Sequence, residues 1–107
     1  GYSFADRNMR LDEAAQLIDK AVALKPDDAA ILDSKGWLLF RQGRLPDALE
    51  YLRMAFAKMP DGEIAAHLGE VLWALGRRDE AAAVWREAAK AHPDNEVLTA
   101  TIKRFVP

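Results

Sequence analysis

Cysteine is absent from this 107-residue sequence, which excludes disulfide staples, thiolate metal sites and thiol nucleophiles. The compartment stays open, because an oxidising one tolerates a chain without cysteine. Histidine is scarce, with two in total, and no apolar run approaches the ~18 residues that a membrane-spanning helix needs. Insertion of this segment into a membrane is therefore not expected. The start, Gly1-Tyr2-Ser3-Phe4-Ala5-Asp6-Arg7, lacks the basic and apolar regions of a signal peptide and has no initiating Met, so it reads as a fragment of a longer chain. Charge of one sign is missing too. The 15 Lys and Arg stand against 17 Asp and Glu, and a cut after Arg53 leaves 8 against 9, then 7 against 8. Neither half carries the basic excess that nucleic acid requires. What remains, with 50% hydrophobic and 30% charged residues, suits one compact domain with a modest core.

What the sequence does have is a period. Lys-Pro-Asp at 25–27, Met-Pro-Asp at 59–61 and His-Pro-Asp at 92–94 place their prolines 34 and then 33 residues apart. Gly36 and Gly69 are 33 apart, as are Gly43 and Gly76. Ala14, Ala48 and Ala81 keep the 34 and 33 spacing, and Ala21, Ala55 and Ala88 repeat it. A period of this length with two apolar helical stretches per unit predicts an all-α stack of helix pairs, each burying its face against the next.

The helical assignment follows from apolar spacing and from the residues at the ends. Leu11, Ala14, Ala15, Ile18, Ala21 and Val22 recur at steps of three and four, which puts them on one face of a helix. Asp27 and Asp28, Asp61, and Asp94 with Asn95 follow the prolines and suit N-caps, since their side-chain oxygens accept from unpaired backbone N–H groups. Gly43 and Gly76 stand where the first helix of each unit must stop, because glycine tolerates the left-handed conformation of a helix end. Helices are expected at about 1–8, 11–24, 28–42, 45–58, 62–75, 78–91 and 95–105, and no segment alternates as a strand. Gly36 with Ala48, and Gly69 with Ala81, each 12 apart, are small enough to let paired helix axes approach. Ala55 and Ala88 are assigned to the contact with the next unit.

A glycine early in the first helix, a glycine at the turn, two alanines seven apart in the second helix and a closing proline resemble the tetratricopeptide pattern. The resemblance implies a right-handed superhelical stack covering one partial repeat (1–28), two full repeats (29–61 and 62–95) and a capping helix (96–107). Departures are few. Gly1 to Ala14 is one residue longer than its counterparts, Lys35 replaces the usual Leu before the glycine, and Ala65 stands where Leu32 does. The strings Asp33-Ser34-Lys35-Gly36-Trp37 and Ala66-His67-Leu68-Gly69-Glu70-Val71-Leu72-Trp73 are similar to the C-terminal repeats of larger proteobacterial tetratricopeptide proteins, some of them outer-membrane lipoproteins. That likeness leaves the compartment undecided between cytoplasm and periplasm. In Val97, Leu98, Ile102 and Phe105 the last segment has one apolar face, with Lys103 and Arg104 left for water. The same segment is also an alternative donor helix for a homodimer. A truncated first repeat would expose Leu17 and Ile18, a second route to association.

The resemblance implies function as well. First helices of such repeats line a concave surface, which here carries over to Ala30, Asp33, Trp37, Phe40 and Arg41, and then to Glu63, Ala66, His67, Glu70, Trp73 and Ala74, with Tyr2 and Asp6 extending the row. Aromatic and Arg anchors dominate protein interfaces, so a protein or peptide partner is expected there. Groove and core both suit Trp37 and Trp73; Trp85 and Phe56 are read as core. Acidic and aromatic residues at 33, 37, 67 and 70 do not suit the grip on a chaperone's terminal carboxylate seen in some relatives. Arg41 is the one strong cation placed on this face, with Asp33 or Asp6 as its expected partner. No catalytic residue, cofactor or metal ligand is expected: His67 and His92 belong to no HExxH, Ser3 and Ser34 to no nucleophile motif, and His67 is expected to line the groove or titrate in water. Asp33 with Glu70 reads as a solvated acidic face, and Arg77-Arg78 as a helix start of mixed charge. Two other roles remain open from sequence, a structural or dimerisation segment and a regulatory segment of an enzyme.

Overall fold

A computed structural model describes residues 11–106, and side chains from Glu13 onward. The helix expected over 1–8, Tyr2 and Asp6 lie outside the described residues. Six helices and no strand make up the rest: α1 Leu11–Leu24, α2 Ala29–Arg41, α3 Leu45–Lys58, α4 Gly62–Ala74, α5 Arg78–Ala91 and α6 Glu96–Phe105.

The capping residues act at the expected places. Asp28 accepts a hydrogen bond from the Ile31 backbone N–H at 3.2 Å, Asp61 from that of Ile64 at 2.8 Å, and Asn95 from that of Leu98 at 2.9 Å. Each satisfies a donor that the first helical turn leaves unpaired. Gly43 and Gly76 adopt φ of 80° and 84°, a region where a Cβ is strained. Behind each, the next residue's N–H reaches back to the carbonyl of Leu39 or Leu72, and the glycine's own N–H to that of Phe40 or Trp73. This is the Schellman closure of a helix end, and it turns α2 into α3 and α4 into α5.

Small residues then set the spacing of the paired helices. A Cβ on Gly36 would lie 2.6 Å from Leu52 Cγ and 3.2 Å from the Ala48 carbonyl oxygen, so α2 and α3 touch backbone to side chain. On Gly69 a Cβ would lie 2.7 Å from Trp85 Cδ1, with the indole laid across the glycine. Trp85 is 1% exposed and its Nε1–H donates to the Ala66 carbonyl at 3.4 Å. Ala55 sits with Leu32 and Ile64 where one pair meets the next, and Phe56 packs beside them. At the N-terminal end, Ala14 and Ile18 of α1 close on Leu38 of α2. Ile18 is thus core rather than exposed, because α2 covers it; Leu17 on the neighbouring face is about half exposed.

Polar ties run between units. Arg53 of α3 pairs with Glu80 of α5 at 2.6 Å, Lys35 of α2 with Asp19 of α1 at 2.6 Å, and His92 Nε2 lies 2.8 Å from the Pro60 carbonyl oxygen. At the C-terminal end α6 lies on α4 and α5 of its own chain, with Leu98 buried and Phe105 against Trp73 and Trp85. Arg104 is exposed to water, as expected, and also pairs with Glu70 on α4, since α6 runs close beside that helix.

Candidate functional site

On α2, Asp33, Trp37, Phe40 and Arg41 follow the steps of four, three and one that keep side chains on one helical face. On α4, Glu63, His67, Glu70 and Trp73 keep to one face by steps of four, three and three. The two helices bring these rows side by side. His67 Nδ1 and Asp33 Oδ1 are 2.9 Å apart, and the Trp37 ring stacks on the His67 imidazole with centroids at 4.2 Å and planes at 24°. Phe40 stacks on the other end of Trp37 at 4.8 Å. Asp33, His67, Trp37 and Phe40 therefore form one continuous strip across two repeats, half-buried throughout.

Further along α4 the row is sealed. Trp73 packs against Trp85 at 5.8 Å and Phe105 at 5.4 Å, and the Arg78 guanidinium sits 5.0 Å above its ring. Glu70 is 12% exposed and ion-paired with Arg104. Between groove and core, Trp73 keeps only a half-buried edge, because α6 covers the rest. Ala66, expected on the surface, is 1% exposed; its methyl group is core and its carbonyl receives the Trp85 indole N–H. Arg41, Ala30, Glu63 and Ala74 are exposed.

The electrostatics follow from this packing. His67 and Asp33 side chains are only 19% and 15% exposed. Burial alone lowers an imidazole pKa, because it penalises the charged form. Here the Asp33 hydrogen bond, the Asp33 charge and the charges of Glu63 and Glu70 together outweigh burial, and His67 is raised above its usual 6.5. His67, expected to line the groove or titrate in water, is a partly buried tie between α2 and α4, stacked on Trp37. Among the described residues no group of three His, Cys, Asp or Glu is placed to hold a metal ion.

What sequence reading missed is which residues α6 meets, namely Glu70 and Trp73. Arg104 and Phe105 complete the site's far end, and the signal was available: Glu70 and Arg104 are 34 residues apart, as are Asp33 and His67. One repeat length separates each pair, so equivalent positions on successive first helices are neighbours in space.

Comparison with known families returns the same architecture. One tetratricopeptide repeat profile matches residues 5–63 and another matches residues 39–101. The chain belongs to the tetratricopeptide repeat family. This tetratricopeptide domain is 60% identical over 70 residues to a TPR repeat-containing protein of Pseudomonas aeruginosa, an overlap of 65% of this chain and 12% of that protein. It is 31% identical over 85 residues to anaphase-promoting complex subunit 7 of Mus musculus, an overlap of 79% of this chain and 15% of that one. The chain thus spans a small part of the length of these relatives. Tetratricopeptide repeats generally mediate protein–protein interaction and are typically non-catalytic modules.

Proposed function

We propose that this tetratricopeptide domain is a protein-binding module of a longer chain, and that it receives a peptide or helix of its partner on the joint face of α2 and α4. The observation that carries this reading is the strip Asp33–His67–Trp37–Phe40, whose aromatic rings stay half-buried instead of sealed and are held rigid by stacking and by the 2.9 Å contact between Asp33 and His67. Pre-formed aromatic surface binds with little ordering cost, so Trp37 and Phe40 serve as anchors. Arg41, Glu63 and the accessible edges of Glu70 and Trp73 frame them, and Tyr2 is proposed to extend the row. Ala66 supplies backing for the strip from beneath. One relative's name places it in a multisubunit complex, which agrees with a role in assembly.

Site-specific photocrosslinking in the parent protein tests this. A photoreactive residue at Arg41 or Glu63 is expected to capture a discrete partner, and one at Glu87 on the outer side is not. Trp37→Ala, with helicity verified by circular dichroism, should abolish the capture at Arg41. Equal labelling from both sides, or capture indifferent to Trp37→Ala, overturns the assignment. A structural role is favoured by one observation only, the packing of Trp73 between Trp85 and Phe105. It applies to that end of the row, where Trp73→Ala is expected to alter stability.

A further inference from the structure

Helices α2 and α4 touch each other far less than either touches α3, so their direct joint is narrow. Three side chains of the aromatic strip stand on it. The Asp33 carboxylate lies 2.9 Å from His67 Nδ1, and the Trp37 ring lies on the imidazole with centroids 4.2 Å apart. A carboxylate only accepts, so Nδ1 carries a hydrogen in both charge states of the ring, and the proton that comes and goes is the one on Nε2. With that proton the ring is a cation between an anion and the face of an indole, where the His67 and Asp33 side chains are only 19% and 15% exposed. Without it the same contacts become a neutral ring's hydrogen bond and an uncharged stack, both weaker. Among the described residues, the charges acting on the ring are Asp33 from α2 and Glu63 and Glu70 of its own helix. Arg104 of α6 reaches it through its ion pair with Glu70, and α5 brings the uncharged Trp85 to the neighbouring Ala66 carbonyl.

We infer that the Asp33–His67–Trp37 stack is a proton-operated latch between successive repeats: the His67 imidazolium fixes Trp37 against α4, and with the neutral ring Trp37 turns away and the joint loosens. Burial works against the charged ring, but the hydrogen bond and charge of Asp33, with the charges of Glu63 and Glu70, prevail and hold it above its ordinary 6.5. The latch is therefore more than half closed at pH 6.5 and opens as pH rises through the raised value. His92 is the internal control, since its Nε2 lies 2.8 Å from the Pro60 carbonyl oxygen, an acceptor without formal charge. Where the docking assignment holds, Trp37 is offered to a partner in one fixed orientation only with the latch closed. The latch is a motion of this chain alone, so its failure leaves that assignment standing, and the reverse is also true.

The test is NMR on the whole 107-residue chain with labelled Trp and His side chains, from roughly pH 5 to 9. The nuclear Overhauser effect between the Trp37 and His67 rings is the readout, because ring charge alone shifts resonances without changing distances. It is expected to be strong at the acidic end and to fall by about half or more as pH rises, with the midpoint of the His67 ring itself. Asp33→Asn should move both midpoints down together, and His92→Gln should move neither. His67→Phe keeps a flat ring on Trp37 without a titrating group, so with helicity verified by circular dichroism the ring-to-ring signal should be constant across the range. A signal that stays constant while His67 titrates overturns the latch, as does a pH response that survives in His67→Phe. Should that variant fail to fold, Asp33→Asn decides alone: a Trp37 midpoint that stays put while the His67 midpoint falls overturns it.

Discussion

His67 is where a single side chain connects packing to pH. Its partners Asp33, Glu63 and Glu70 raise its pKa above 6.5 in the fold despite burial. A raised folded-state pKa means the protonated form is bound more tightly by the native state than by the unfolded chain. The stabilisation is therefore complete below the unfolded value of about 6.5 and is lost as pH rises through the folded value. An NMR titration of the His67 ring should give a midpoint above 6.5, and Asp33→Asn should lower it. The urea midpoint of the wild type should fall as pH rises through that value, and Asp33→Asn should flatten the fall. Glycine gives a second residue-scale test. Gly69→Val sets methyl groups against the buried Trp85 indole and should cost roughly 1 to 3 kcal/mol in urea denaturation. Gly76→Ala meets no neighbour within 4 Å, so only its φ of 84° opposes it, at about 1 kcal/mol.

At the scale of the element, the helices are delimited by short-range chemistry. Asp61 shows the balance: its carboxylate takes the Ile64 N–H at 2.8 Å, and the Pro60 before it disfavours helical conformation at Met59. Asp61→Ala should destabilise the domain by about 1 kcal/mol, read as a lower melting temperature, with hydrogen exchange faster in the first turn of α4. Boundaries were legible for the same reason. Asp28, Asp61 and Asn95 begin helices and Gly43 and Gly76 end them through interactions spanning at most five residues, which sequence order already brings together. Among the described residues the expected bounds differ from the observed ones by a residue at most, as at 28–42 against Ala29–Arg41, because the terminal residue is the cap itself.

For the whole molecule, each helix touches mainly its neighbours along the stack, so the ends matter most. At the C-terminal side of the described stack, α6 buries Leu98 and lays Phe105 against Trp73 and Trp85. Deleting residues 96–107 should shift tryptophan emission to longer wavelength and lower the melting temperature, since two indoles lose their cover. Phe105→Ala removes part of that cover and should cost about 1 to 2 kcal/mol, given that the ring is half-buried. An unchanged emission maximum after the deletion would contradict this role of α6.

Sequence alone determined the helices, their caps, the 33- to 34-residue period and the family, because each rests on contacts between residues close in the chain or on a spacing that can be counted. It also grouped Asp33, Trp37 and Phe40 on one face of α2, since they lie together by helical geometry alone. Tertiary structure decided the rest. Ala66 went to the core and Trp73 beneath Phe105 because two other helices, α5 and α6, close over the same stretch of α4. His67 became a tie between α2 and α4, and Arg104 the partner of Glu70, because residues one repeat apart become lateral neighbours only once the helix pairs stack. Periodicity states which positions are equivalent; the rise and turn of the stack decide which of them touch.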